Sequence, residues 1–273
     1  MSESKTKKRG ASGIGAERLA QLNAGAQATT LTECLAVDFA ALMGNIVPGI
    51  DDDALAEMTS ATATGISRRM PLAARLIGER LGPSTFETLK QHSSDTVRGW
   101  ACFMVAAGEN MTLAERLAAI RPLADDSHFG VREWAWIAVR PHLAADLDQA
   151  IALLAAEWTS DPSERIRRFA SESIRPRGVW CAHLSVLKKE PERALPVLEP
   201  LRADPSPYVQ DSVGNWLNDA AKDRPEWVQA LAARWSASSG PRHRASVAAR
   251  FDPSPPNPVP QTLESARNGI TSD

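Results

Sequence analysis

The chain of 273 residues carries 31 Lys and Arg against 33 Asp and Glu, with 43% hydrophobic residues, 19 Pro, 16 Gly and three Cys. A net charge of -2 excludes a uniformly basic nucleic-acid binder but leaves room for positive charge gathered on one surface. No apolar run approaches the roughly 20 residues of a membrane helix, and Cys34, Cys102 and Cys181 stand far apart in no Cys-x-x-Cys pair, so neither a membrane span, a disulfide framework nor a structural zinc site is expected. A reducing cytoplasm fits this cysteine usage.

Residues 1–15 hold Lys5, Lys7, Lys8 and Arg9 and then three glycines, which predicts a disordered basic tail. From 16 to 250, Ala/Leu/Glu/Arg-rich stretches of helical length alternate with punctuation such as Asp-Pro-Ser, and strand-like alternation is nearly absent. Residues 251–273 contain Pro253, Pro255, Pro256, Pro258 and Pro260, whose missing N–H groups exclude helix interiors, predicting a second disordered tail.

Within the body a motif recurs. Val97-Arg-Gly-Trp-Ala-Cys-Phe-Met-Val105, Val131-Arg-Glu-Trp-Ala-Trp-Ile-Ala-Val139 and Ile166-Arg-Arg-Phe-Ala-Ser-Glu-Ser-Ile174 align without gaps, 34 and 35 residues apart, and a weaker copy begins 43 residues later at Val209. Offsets 0, +4 and +8 are apolar or small and fall on one helical stripe. Asp161-Pro-Ser163 and Asp204-Pro-Ser206 lead into the last two copies, and each leader predicts a helix start with Asp as N-cap. The expected fold is all-α: a HEAT/ARM-like α-solenoid superhelix of stacked antiparallel helix pairs over 16–250.

Two carboxylates stand outside the packing stripe. Glu172 at offset +6 and Asp219 at offset +10 differ by one turn, which predicts that neighbouring repeats project them side by side, off the buried face. Around Glu172, residues 163–177 carry five arginines against Glu164 and Glu172, with Arg168 and Arg175 on the Glu172 face. One reading is structural, with Glu172 pairing to Arg168 or Arg175 to keep repeats in register. The other is functional, and draws on Trp136 and Trp180, which break the repeat pattern and suit an open face where indoles stack on a base, whereas Trp134 shares its offset with Trp100 and Phe169 and suits the core. His spacing supports no metal site, and neither a phosphate loop nor a Ser, Cys or His nucleophile signature occurs.

The segment Arg167-Arg-Phe-Ala-Ser-Glu-Ser-Ile-Arg-Pro-Arg177 with Trp180, followed by Tyr208 to Asp219 and Lys222-Asp-Arg-Pro225, resembles the DNA alkylation repair family and, within it, the AlkC-like HEAT-repeat DNA glycosylases. The resemblance implies a solenoid gripping duplex DNA and hydrolytic excision of cationic N-methylated bases of the 3-methyladenine type, with a carboxylate stabilising an oxocarbenium-like sugar and orienting water. It implies no metal and no cofactor, double-stranded DNA containing alkylated bases as partner, no membrane, and a monomer. It places catalytic carboxylates at Glu172 and Asp219. A third acidic position of the family falls on Trp136, so either Glu133, one turn earlier, substitutes for it or the pocket is altered. Trp136, Trp180 and Trp216 are then the base-binding residues, and Arg168, Arg175, Arg177 and Lys222 meet DNA. From Ser239 onward the sequence departs from a last helical repeat, so part of the DNA clamp is expected to be absent. The alternative is a non-catalytic HEAT-repeat module that binds DNA or serves as a protein scaffold.

Overall fold

The computed structural model describes residues 13–238, which are helical with short connecting turns and contain no strand among the described residues. The basic tail expected over 1–15 lies outside them except for 13–15, and the Pro-rich segment 251–273 lies outside altogether. Where one repeat domain was expected, the chain divides into two compact units, with the break between Gly108 and Glu109. Among the described residues, no helix is long and apolar enough to cross a membrane.

The first unit holds α1 (Ala16–Asn23), α2 (Leu31–Ala36), α3 (Phe39–Ile46), α4 (Asp52–Ser60), α5 (Ile66–Leu81), α6 (Thr85–Leu89) and α7 (Asp95–Ala107). Its core joins Leu22, Leu42, Met43, Met70, Leu76 and Ile77 to Trp100, whose ring meets the edge of Phe39 at 5.6 Å. Each large apolar side chain so buried contributes about 2 kcal/mol. The α1–α2 turn depends on Gly25 at φ 100, where a Cβ would lie 3.0 Å from the His92 ring.

In the same unit the Glu33 carboxylate accepts from Arg18 Nε at 2.9 Å and Nη2 at 2.8 Å, and from the Thr29 amide at 2.6 Å. The Arg18 hydrogen bond, then the Thr29 amide, hold its carboxyl down at about 2. A depressed folded-state value stabilises the fold above the unfolded carboxylate range and is lost as pH falls through the folded value. Acid titration followed by circular dichroism should therefore show stability declining between about pH 5 and pH 2, with a shallower decline in Glu33→Gln. An unchanged decline in that variant would assign it to other carboxylates.

The second unit holds α8 (Leu113–Ala124), α9 (Phe129–Ala145), α10 (Leu147–Glu157), α11 (Glu164–Glu172), α12 (Ser185–Lys189), α13 (Leu195–Leu201), α14 (Pro207–Ala221) and α15 (Pro225–Ser238). Here α9, α11 and α14 pack in one row and α8, α10 and α13 in a second row behind it, the two-layer arrangement of HEAT-like repeats. The first, second and fourth copies of the motif lie wholly in helices and the third runs two residues past the end of α11, and their offsets 0, +4 and +8 are buried throughout: Val97, Ala101, Val105; Val131, Ala135, Val139; Ile166, Ala170, Ile174; Val209, Val213, Leu217.

The leaders work differently from the expectation. Ser163 and Ser206, not the aspartates, are the N-caps, accepting from the amides of Arg165 and Tyr208. Asp161 and Asp204 instead accept from the Ser163 and Ser206 amides at 2.7 and 2.9 Å, closing the turn that delivers the cap.

The motif's second position has a task that sequence reasoning missed. Arg98, Arg132 and Arg167 each donate Nη1 to two backbone carbonyls five and six residues upstream, in the turn entering their own helix. In the fourth copy Gln210 donates to the Asp204 carbonyl in the same manner. Arg167 also grips Asp204 through Nε at 2.6 Å and Nη2 at 3.0 Å, tying α11 to the start of α14.

Candidate active site

The C-terminal end of α11 carries the centre of the site because Arg168, Glu172 and Arg175 succeed one another at turn spacing. On one side α9 supplies Glu133 and Trp136, and on the other α14 supplies Asp219 and Lys222 follows it. Charges alternate along this line. Glu133 Oε1 lies 3.9 Å from Arg168 Nη2, which lies 2.8 Å from Glu172 Oε1. Arg175 donates Nη1 to Glu172 Oε2 at 3.2 Å and Nε to Asp219 Oδ2 at 2.9 Å, and Lys222 reaches Asp219 Oδ1 at 3.1 Å. The two carboxylates expected to be neighbours are therefore neighbours, joined by Arg175.

Their environment differs from the expectation. Glu172 and Asp219 are 2% and 3% exposed, not off the buried face. As the middle helix of its row, α11 has α9 and α14 against both flanks, so the side away from its packing stripe is covered as well. Glu172 Oε1 makes no hydrogen bond of proper geometry and depends on the Arg168 charge alone. Burial works against the Arg175 charge, yet Glu172 and Asp219 outweigh it and hold the guanidinium above its ordinary value.

A shallow depression with room for about one water molecule opens beside this line, bordered by Arg132, Glu133, Trp136, Arg168, Glu172 and Tyr208, and Asp219 does not border it. Glu133 keeps 38% of its side chain exposed there and accepts from the Trp136 indole Nε1 at 3.1 Å. Desolvation by its neighbours, reinforced by the Glu172 charge, pushes its carboxyl up, against the pull of Arg168 and Trp136. Tyr208, the one tyrosine of the chain, lies in the motif that carries the resemblance but has no role assigned from the sequence. Its ring centroid lies 4.2 Å from the Arg168 guanidinium and 5.3 Å from that of Arg132, and its hydroxyl accepts from Arg132 Nε at 3.0 Å.

The expected base-binding tryptophans separate. Trp216 is fully buried with Nε1 donating to the Ile174 carbonyl at 3.0 Å, which makes it a core residue. Trp136 is 3% exposed and meets the depression only at its border. Trp180 is half-buried at φ 59, a left-handed conformation rare for a bulky residue, and its indole stacks on that of Trp134 at 5.8 Å. Arg140 steadies this loop by donating to the carbonyls of Ala182 and Ser173.

The four expected DNA-contacting cations are also engaged with protein. Arg168 and Arg175 keep only 16% of their side chains exposed and face the carboxylates above. Arg177 forms a forked pair with Asp223, while Lys222 stays 53% exposed beside Asp219.

Residues 130–247 match the model of a family described as DNA alkylation repair enzyme. An uncharacterized protein, YhaZ, of Bacillus subtilis (strain 168) is 39% identical over 127 residues, which make up 46% of this chain and 34% of that protein. A solved structure of the Pseudomonas fluorescens alkylpurine DNA glycosylase AlkC, bound to DNA containing an abasic site analog, matches with a TM-score of 0.61 at 24% identity, covering 86% of this chain and 61% of that one. The chain thus spans about a third of the Bacillus relative and under two thirds of the Pseudomonas protein. The structural likeness establishes the shared fold, a HEAT-like α-solenoid.

Proposed function

We propose, from the match of residues 130–247 to the model described as DNA alkylation repair enzyme, that the protein is a member of that family and a monofunctional glycosylase that hydrolyses cationic N-methylated bases, of the 3-methyladenine type, from duplex DNA as a monomer and without a cofactor. Methylation at N3 leaves adenine positively charged, so the base departs with the electron pair of the glycosidic bond and needs no added proton. The remaining barrier is the electron-poor sugar. Glu172, at the border of the depression, stabilises that developing charge and receives the proton of the water that adds to the anomeric carbon. Asp219 adds a second negative charge and holds Arg175 against Glu172.

Arg177 and Lys222 meet phosphates at the rim, and Trp180 turns an indole face toward the cationic base, worth about 0.5–2 kcal/mol. The observation that carries this reading is the alternation of Glu133, Arg168, Glu172, Arg175 and Asp219 within the family-matched segment. The test is incubation of the purified chain with N-methylated duplex DNA and chromatography of the released bases. Free 3-methyladenine supports the proposal, and its absence under conditions where the chain is folded overturns it.

A second reading draws on the same salt bridges. Glu172 and Asp219 are almost wholly covered and neutralised by arginines, as in a clamp that only keeps repeats in register, which favours a non-catalytic module binding DNA or a protein. Gel shifts at two salt concentrations separate these, since phosphate contacts make DNA affinity fall steeply with salt.

A further inference from the structure

Arg140, in the last turns of α9, is 2% exposed, and among the described residues its guanidinium meets backbone carbonyls rather than a carboxylate. A cation so covered destabilises the fold relative to an apolar residue of its size unless its hydrogen bonds are fully used. All three nitrogens of Arg140 serve one stretch of chain. Nη1 donates to the Ser173 carbonyl at 2.8 Å, Nη2 to that of Arg175 at 2.5 Å and Nε to that of Ala182 at 3.2 Å. The first two carbonyls leave the end of α11, where helical partners run out and the helix dipole favours a positive charge. The third stands on the returning side of a loop whose neck is closed by the Leu184 amide donating to the Pro176 carbonyl at 3.0 Å.

The loop is seated directly on the guanidinium. A Cβ at Gly178 would lie 3.4 Å from Arg140 Cζ and 2.2 Å from the Cys181 sulfur, so only glycine lets the backbone come this close. Two residues on, Trp180 holds φ 59, a conformation that a bulky residue keeps only where its surroundings over-determine it. Those surroundings are the Arg140 grip, the closed neck and the stack on Trp134, which also belongs to α9. We propose that Arg140 is a positioning residue for the base contact: it holds the loop of residues 175–182 ready, with one face of the Trp180 indole on Trp134 and the other turned toward the cationic base. This rests on the reading of Trp180 as a base-facing residue and deepens it by naming what fixes the indole before DNA arrives, so that binding need not order the loop.

The experiment uses the full-length chain with Arg140→Met, which removes all three donors while keeping apolar length, and Arg140→Lys, whose single nitrogen cannot serve three carbonyls. Acrylamide quenching is measured without DNA, the Trp180 contribution being the difference between each protein and the same protein carrying Trp180→Leu. Quenching of Trp180 should rise about threefold in Arg140→Met, as expected of a locally opened segment, and by less in Arg140→Lys. Single-turnover release of 3-methyladenine should slow about tenfold or more in Arg140→Met, since small misplacements of a contacting group are magnified in rate. In the Trp180→Leu background Arg140→Met should slow it no further, because a residue acting only through another has no effect once that other is gone.

Thermal melts confine every comparison to temperatures at which the variants are folded, and Arg140→Lys carries the test if Arg140→Met does not fold. Unchanged Trp180 quenching in the Arg140 variants overturns the inference. Equal slowing of base release in both Trp180 backgrounds overturns it as well, since that is the behaviour of a residue that supports only the fold. A loosened Trp180 in a chain whose wild type releases no base sinks the glycosylase reading alone. Base release by the wild type together with quenching that ignores Arg140 sinks this inference alone.

Discussion

Replacing Glu172 with glutamine is expected to slow release of 3-methyladenine by about 10²- to 10³-fold, the loss seen when one preorganised electrostatic partner of a transition state is removed. The substitution is nearly isosteric. Arg175 keeps Asp219, and Arg168 keeps the Tyr208 carbonyl, so both flanking guanidiniums retain a partner. The fold and the affinity for undamaged duplex should therefore change little, and the deficit should appear in single-turnover rates rather than in binding. Asp219→Asn removes the second negative charge of the cluster and should abolish release as well. Full activity in both variants refutes the assignment, because no other carboxylate bordering the depression than Glu133 would remain to carry the reaction. Loss of release together with loss of the melting transition would instead point to the register-keeping role of the salt bridges.

How far the sequence could be read follows from which features are local to one helix. The stripe at offsets 0, +4 and +8 is such a feature, and every residue on it from Val97 to Leu217 is buried. The adjacency of Glu172 and Asp219 followed from the same periodicity, once two copies were placed side by side. Their exposure did not, because helical geometry says which side of α11 faces its own packing stripe but not that α9 and α14 also cover its flanks. The same limit misplaced Trp216 and Trp136, whose burial is imposed by neighbouring helices, while Trp180, in a loop, kept an open side. The sequence leaves Arg168 and Arg175 open both to pairing with Glu172 and to meeting phosphate, because clustered arginines look alike in a sequence whether they face solvent or carboxylates from other repeats, and the structure shows the pairing. Tyr208 and the upstream clamp of Arg98, Arg132 and Arg167 could have been found. The arginine recurs at one offset in three copies, and a charged residue repeated beside an apolar stripe asks for a partner of its own.

Arg175 is where the corrected burial changes an expected result most. As a phosphate ligand, its loss would flatten the salt dependence of DNA binding. As the cation between two covered carboxylates, its replacement by methionine leaves Glu172 and Asp219 facing one another with Arg168, the exposed Lys222 and the more distant Arg140 as the remaining cations. Breaking a buried pair from one side costs about 3–5 kcal/mol, several times the roughly 0–1 kcal/mol of an exposed pair such as Arg177 with Asp223. Urea denaturation of Arg175→Met should accordingly show a loss of about 3 kcal/mol or more, against less than about 1 kcal/mol for Arg177→Met. Adding Glu172→Gln and Asp219→Asn to Arg175→Met should recover most of the loss, since removing the charges together leaves no uncompensated ion inside the protein. A loss below about 1 kcal/mol in Arg175→Met would mean that water already relaxes the pair, and that the guanidinium is available to swing out to a phosphate after all.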